Sequence, residues 1–352
     1  MRASLNRFSL YFIPVLILLV FAGCQKGPRI DPATLFTAYQ GENQPGAAVL
    51  VIQDGKIAYQ GLFGMADLEA GQPITAATNF RLASVTKQFT AMSIMLLVEH
   101  ELVSLDTPLS EIFPEFGPFA DHITIQNLLQ HTSGLMDYES LMSPAATEQV
   151  HDKDVLALLE ATDSTLFPPG TAFSYSNSGY SVLAMVVEEM TGVPFPEFLR
   201  KNIFTPVGMT NSVAFVDGES TVANRAFGYA ATSDSLVFEF ADQSSTSAVL
   251  GDGGIYSSLD DLMKWDQALY SDTLVSFGML QKAFTPGLES YGFGWSIDDH
   301  NGHLRYSHTG STSGFRNVIQ RFPDDKLTII ILTNRNEPGV EDLANELAEL
   351  YF

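Results

Sequence analysis

Apolar and polar positions follow two different rhythms along this chain. GAAVLVIQ (46–53) is an almost unbroken apolar run, and KIAYQGLFG (56–64) follows it across Asp54-Gly55. An Asp-Gly pair between β-rich runs suits the two positive-φ positions of a type I′ turn, so these segments predict a hairpin. From Lys87 to about Lys201 the rhythm is helical, punctuated by proline and glycine: TIQNLLQHTSGL, DKDVLALLEA, YSVLAMVVEEMTG and PFPEFLRKNIFTPVGM. A further amphipathic helix is predicted in SSLDDLMKWDQAL, with Ser257 or Ser258 as its cap. Strand-like runs return in LRYSHTG, GFRNVIQRFP and LTIIILTN, the last two separated by a turn at Pro323-Asp324-Asp325. VEDLANELAELYF closes the chain as a helix. Strands near both ends with helices between them predict an α/β chain of the α+β kind. Its one antiparallel sheet would be built from both termini, flanked by helices, with a helical region at about 87–215 inserted after the second strand. The site belongs where that insertion meets the sheet.

Composition narrows the picture. The chain has 352 residues with 45% hydrophobic content, ample for a packed core. A formal net charge of −23 argues against nucleic acid as a partner, because binding it demands a basic surface. The first residues have a separate logic: Arg2 and Arg7 precede an apolar run from Phe8 to Phe21, which ends at Ala22-Gly23-Cys24. That is the layout of an export signal, and the run is short for a membrane crossing. Cys24 is the only cysteine, so the domain after it has no thiol and no disulfide. Small residues ending at a cysteine resemble the lipobox of bacterial lipoproteins. This implies a signal peptide at 1–23, lipidation of Cys24, and an exported protein anchored to a membrane of a bacterial cell envelope, on its periplasmic or extracellular face. A tether and short helix would occupy 24–45, and the globular domain 46–352.

The candidate chemistry begins in RLASVTKQFTA (81–91), where Ser84 and Lys87 lie three apart at the start of a strongly apolar helix. Residues so spaced share a helix face, and a lysine desolvated by an apolar wall can take a serine proton and create a nucleophile. Two further pieces carry chemistry. Tyr175 and Asn177 follow Pro168-Pro169-Gly170 on an expected loop, before a helix starting near Tyr180. His308-Thr309-Gly310 lies near a strand end, with the small residues Ser311 to Gly314 behind it, which leave main-chain N–H groups free to hold an oxyanion.

With Ser84-Val-Thr-Lys87, Tyr175-Ser-Asn177 and His308-Thr309-Gly310 in this order, the chain from about Pro45 to its end resembles the serine β-lactamase and penicillin-binding-protein superfamily. The likeness is closest to its class C β-lactamase-like serine hydrolases, in the esterase or D-peptidase branch; LLQHTSGL and GDGGIYSSLDDLMKW add to it. The resemblance implies that Ser84 is the acylated nucleophile and Lys87 its proton acceptor or electrostatic helper. Tyr175 would exchange protons with Ser84 and the leaving group, and Asn177 would hold a substrate amide. The backbone N–H groups of Ser84 and Ser311 would form the oxyanion hole, and His308, Thr309 and Gly310 would line the substrate site. The departure is His308, where β-lactamases and peptidases of this superfamily usually have a lysine that helps bind a substrate carboxylate. The same histidine is found in relatives acting as esterases, D-amino-acid peptidases or other amidases.

No cofactor or metal is implied: the histidines lack ligand spacing. His131 belongs to a landmark that shapes the site without chemistry, Arg316 is a candidate positive charge near it, and Asp252-Gly253-Gly254 reads as a turn beside the cleft. The expected partner is a small-molecule or peptide ester or amide. A catalytically idle module that grips peptides or muropeptides is the alternative, or, within enzymes, a β-lactamase.

Overall fold

A computed structural model describes residues 30–41, 43–143, 148–233 and 237–352. The signal segment at 1–23 and Cys24 therefore lie outside the described residues. Six strands form one antiparallel sheet: β1 (Ala47–Gln53), β2 (Lys56–Phe63), β3 (Ser296–His300), β4 (His303–Thr312), β5 (Phe315–Phe322) and β6 (Leu327–Thr333). Their spatial order is β3-β4-β5-β6-β1-β2, so the first strand of the sheet is zipped between the second and the last. Leu50 faces Ile330 across β1 and β6. The β1–β2 turn has φ values of 51° at Asp54 and 72° at Gly55, the two positive values that the Asp-Gly pair predicted.

The unbroken apolar runs have a simple cause, which is that both faces of the sheet are covered. Ala48, Leu50, Ile52, Ile330 and Leu332 point into the core shared with the inserted helices. Ala47, Val49, Val51, Ile329 and Ile331 point the other way, against Phe36 and Tyr39 of the short helix Pro32–Tyr39 and Ala344 and Leu347 of the closing helix, Glu341–Glu349. Side chains on a strand alternate between faces, so a strand buried on both needs apolar residues at every position.

Within the insertion, α1 (Lys87–Glu99) is buried along nearly its whole length, and α2 (Asn177–Thr191) packs beside it, closing at Gly192 in a left-handed C-cap. Ser258, rather than Ser257, caps α3 (Leu259–Ala268). The expected helix near Tyr180 begins earlier, at Asn177, because the Ser176 hydroxyl accepts the Gly179 N–H and starts the helix there. Asn177 is thus the first helical residue and not a loop residue. β3 was not foreseen from the sequence: its Asp298, Asp299 and His300 interrupt the apolar rhythm, as suits an edge strand.

A buried ion pair fastens α3 to the sheet. Arg321 Nε on β5 lies 2.7 Å from Asp266 Oδ1, and the same oxygen accepts the Thr328 hydroxyl at 2.8 Å. Both charged residues are nearly inaccessible. Replacing Asp266 by alanine would strand a guanidinium in the core, at a cost of about 3–5 kcal/mol. Urea unfolding of Asp266→Ala should show that loss as a lowered midpoint with an unchanged slope, whereas a wild-type midpoint would refute the fastening role.

Candidate active site

The nucleophile segment begins at a short strand, Phe80–Arg81, that pairs with Ile255–Ser257. Leu82 extends the contact through its N–H to the Ile255 carbonyl at 2.8 Å. Ala83 then adopts φ 50°, a left-handed value that is uncommon for a residue with a Cβ. This reversal sends the chain into the 3₁₀ turn Ala83–Thr86, which leaves Ser84 half-buried at a cleft, and α1 follows directly.

Lys87 is fully buried. Its Nζ makes three contacts: 2.8 Å to Asn177 Oδ1, 2.9 Å to the Asp252 carbonyl and 3.2 Å to Ser84 Oγ. The carbonyl and the amide oxygen can only accept, so they take two N–H groups. The third valence of the nitrogen faces Ser84 Oγ, as an N–H in the ammonium or as a lone pair in the amine. Proton exchange between serine and lysine therefore requires no rearrangement of the other two partners.

Tyr175 is 44% exposed, and its ring centroid lies 4.9 Å from Lys87 Nζ. Among the described residues its hydroxyl has no hydrogen bond to Ser84; it approaches the lysine through the ring face. His131 holds that ring in place. The His131 ring lies 4.4 Å from Tyr175, 4.5 Å from Tyr291 and 5.0 Å from Tyr180, and its Nδ1 accepts the Ser176 N–H at 3.0 Å. Burial, with help from Lys87 and His308, pushes the His131 pKa well below the usual imidazole range. A neutral aromatic plug thus supports the tyrosine from behind.

His308 is buried on β4. Its Nδ1 lies 2.6 Å from the Thr309 carbonyl and its Nε2 2.9 Å from the Tyr291 hydroxyl. A carbonyl only accepts, so Nδ1 carries the proton and Nε2 accepts from Tyr291. Burial first, then the charge of Lys87, lowers the His308 pKa to about 4 against the opposing pull of the Thr309 carbonyl. The ring is neutral near pH 7 and brings no cation to the cleft. Arg316 does not supply one either: its guanidinium is turned onto the Thr312 and Phe315 carbonyls of its own hairpin.

The two parts meet along β4. β3 pairs with it only from His303 to Ser307, so beyond that point its outer edge is free. The nucleophile turn packs on the face of β4 and β5, where the register partners Gly310 and Asn317 both project. A Cβ on Gly310 would lie 2.1 Å from the Leu82 carbonyl, so only glycine permits the approach. Asn317 on β5 secures it by donating to the Arg81 carbonyl at 2.8 Å. Thr309 is exposed on the same strand. The resulting cleft, of about 80 Å³, is lined by Ser84, Asn177 and Ser311 together with Arg81, Tyr138 and Asp252. Sequence reasoning missed Arg81, Tyr138 and the polar partner Tyr291, because nothing in their local pattern separates them from core residues. Asp252 was placed beside the cleft, but not its carbonyl on Lys87. Among the described residues no three His, Cys, Asp or Glu side chains group to hold a metal.

A buried lysine joined to a serine three residues earlier and to an asparagine from a neighbouring helix, beside a glycine-lined strand, defines a serine acyl-transfer site. Comparison with known proteins agrees. Residues 33–351 match the family model described as Beta-lactamase, and the chain belongs to that family of serine hydrolases. It is 31% identical to a penicillin-binding protein of Bacillus subtilis (strain 168) over 323 residues, which are 86% of this chain and 71% of that one. It is 30% identical to a D-aminopeptidase of Brucella ovis over 320 residues, 87% of this chain but only 60% of the relative's length. The crystal structure of a penicillin-binding protein from Bacillus halodurans superposes with a TM-score of 0.79 at 29% identity, covering 92% of this chain and all of that one.

Two predictions follow from this geometry. Gly310→Ala must push the nucleophile turn off β4, and its rate of acylation by a fluorophosphonate should fall roughly 100-fold or more, the scale of a lost oxyanion donor. An undiminished rate would show that this approach is dispensable. The second concerns pH. His308 has a depressed pKa in the folded state, so the stability tied to its neutral form is present above the unfolded value near 6.5 and is lost as pH falls toward 4. Its share of the loss between pH 7 and pH 4.5 is about 2–3 kcal/mol. Urea midpoints at the two pH values should therefore differ less in His308→Gln than in the unsubstituted protein.

Proposed function

We propose that the protein is an exported, lipid-anchored hydrolase that cleaves small amides or esters in the manner of a D-aminopeptidase, through an acyl-enzyme on Ser84. The observation that carries this reading is the contact of Lys87 Nζ with Ser84 Oγ while Asn177 and Asp252 hold the other two valences. Ser84 Oγ attacks the substrate carbonyl carbon, and its proton passes to Lys87 or to Tyr175. The negative oxygen that forms is held by the main-chain N–H groups of Ser84 and Ser311. The leaving amine or alcohol departs with the proton, and water then attacks the ester on Ser84 to release the acid and restore the serine. The neutral His308 weakens any case for a β-lactam or a carboxylated substrate, since it offers no charge to bind a carboxylate. The membrane anchor rests on the Arg2-to-Cys24 segment alone.

Membranes carrying the full chain should take up a fluorophosphonate label that maps to Ser84 and pellets with the lipid, while a Cys24→Ala chain carries the label into the soluble fraction. Ser84→Ala should abolish labelling, and Lys87→Ala should slow it roughly 10²–10⁴-fold. An unlabelled Ser84 would leave the idle peptide-binding module as the better reading. A panel of p-nitrophenyl esters, D-alanine amides and nitrocefin then ranks the substrates.

A further inference from the structure

We propose that a groove between the short helix Pro32–Tyr39 and the hairpin of Tyr229–Ala231 and Phe238–Phe240 holds the headgroup of a zwitterionic phospholipid, with Arg335 taking the phosphate and Glu337 the ammonium. The groove shares no residue with the nucleophile cleft. Its assignment to a lipid rests on the anchored reading above, not on the hydrolysis chemistry.

The groove has a volume of about 470 Å³, with Thr37 and Ala38 of the short helix on one side and Ala231 and Phe238 of the hairpin on the other. Arg335, which follows β6, lies between them. Its backbone is fixed on both sides: the Tyr229 N–H donates to the Asn334 carbonyl at 3.1 Å, and the Asn336 N–H donates to the Tyr229 carbonyl at 3.1 Å. The guanidinium is therefore presented to the groove from a rigid base.

That guanidinium lacks a counter-charge. Arg335 is only 5% exposed, yet its one hydrogen bond among the described residues runs from Nη1 to the Ala38 carbonyl at 2.9 Å, and its Nε is buried with no partner. The rings of Tyr39 and Phe238, with centroids 3.8 Å and 5.7 Å away, soften the burial but supply no acceptor. Other arginines are better served. Arg225, Arg305 and Arg321 each meet a carboxylate, and Arg81 and Arg316 each reach two acceptor oxygens. A buried cation with a single neutral acceptor is costly, and where it lines a groove it marks a place for an anion.

The surroundings decide which anion. Glu337 stands exposed on the same lining and makes no ion pair with the described residues, so a plain anion would meet its repulsion. A group with both signs satisfies the arginine and the glutamate together. Ala38, Ala231, Phe238 and Pro338 make the rest of the lining apolar, as suits the glycerol and first acyl carbons of a lipid. Phe240 shares the strand face of Phe238 and is 60% exposed, and Ile30, just before the short helix, is 52% exposed. Ile30 lies six residues after Cys24, so even a fully extended chain keeps it within about 22 Å of the anchor. A lipidated Cys24 thus holds the groove at a surface dense in zwitterionic phosphodiesters, where even a weak site is filled.

The test uses the full chain carrying Cys24→Ala, so its outcome is read whether or not that cysteine is lipidated. Phosphorus NMR follows the binding of dihexanoyl phosphatidylethanolamine, kept below its micelle concentration, against dihexanoyl phosphatidylglycerol and inorganic phosphate. The zwitterionic lipid should bind saturably and about 10-fold more tightly than either. Arg335→Gln should weaken it by about 10-fold or more, and Glu337→Gln should erase the preference over phosphatidylglycerol, with fluorophosphonate labelling of Ser84 kept in both. Equal affinity for inorganic phosphate would leave a plain anion site, and binding that does not saturate or ignores Arg335→Gln would leave the arginine a structural staple; either result overturns the proposal. Should Arg335→Gln fail to fold, Glu337→Gln, at an exposed position, decides alone: a retained preference counts against the site. Failure of the anchored reading would show in the membrane fraction of the unsubstituted chain and not in these titrations.

Discussion

The site depends on one amine nitrogen kept away from water. Lys87 is completely buried, and each valence of its Nζ is directed by a segment remote from the others in sequence: the turn of Ser84, the first residue of α2, and the carbonyl of Asp252. A buried polar group is tolerated only when its partners are in place, so those segments must converge for the fold to be stable. The requirement that makes the serine reactive is the one that orders the surrounding loops. This explains why so much side-chain chemistry near the lysine acts through backbone: Ser176 caps α2 and so aims Asn177, and Asp152 pins the turn that offers the Asp252 carbonyl.

The sheet performs the complementary task of holding a strand edge beside the nucleophile. With helices on both faces, β4 has little freedom to bend, and the stop of β3 at Ser307 leaves the outer edge of β4 unpaired by β3 beyond that point. Gly310 and Asn317 hold the two sides together there, one by lacking a side chain and the other by reaching the Arg81 carbonyl. Backbone donors positioned by so stiff a frame need little reorganisation when charge develops on a substrate oxygen.

Much of this was legible in the sequence, for reasons that differ from part to part. The β1–β2 hairpin could be read because Asp54-Gly55 meets a local steric demand, and β6 because a strand covered on both faces must be apolar throughout. Ser84 and Lys87 could be read because helical spacing alone brings them together. The remainder depends on tertiary contacts that leave no periodic trace. β3 is an edge strand whose Asp298 pairs with Arg305 on β4, so its polar run carries no strand rhythm. Tyr291 looks like an ordinary core or loop residue until its ring is seen beside Tyr175, whereas His131 was legible only through the landmark to which it belongs. Asp252 reads as a turn residue, since local sequence does not reveal that its carbonyl meets a lysine far upstream.

The order of strands also sets when the protein can first work during synthesis. Ser84 and Lys87 leave the ribosome early, but β1 is enclosed by β6, and the strand carrying Gly310 and Ser311 comes near the end of the chain. A chain halted before His303 holds Ser84 and Lys87 without Gly310 beside them and leaves β1 paired with β2 but not with β6. Such long-range pairing slows folding, and the cleft has both its walls only once β4 has been made and has met the turn of Ser84.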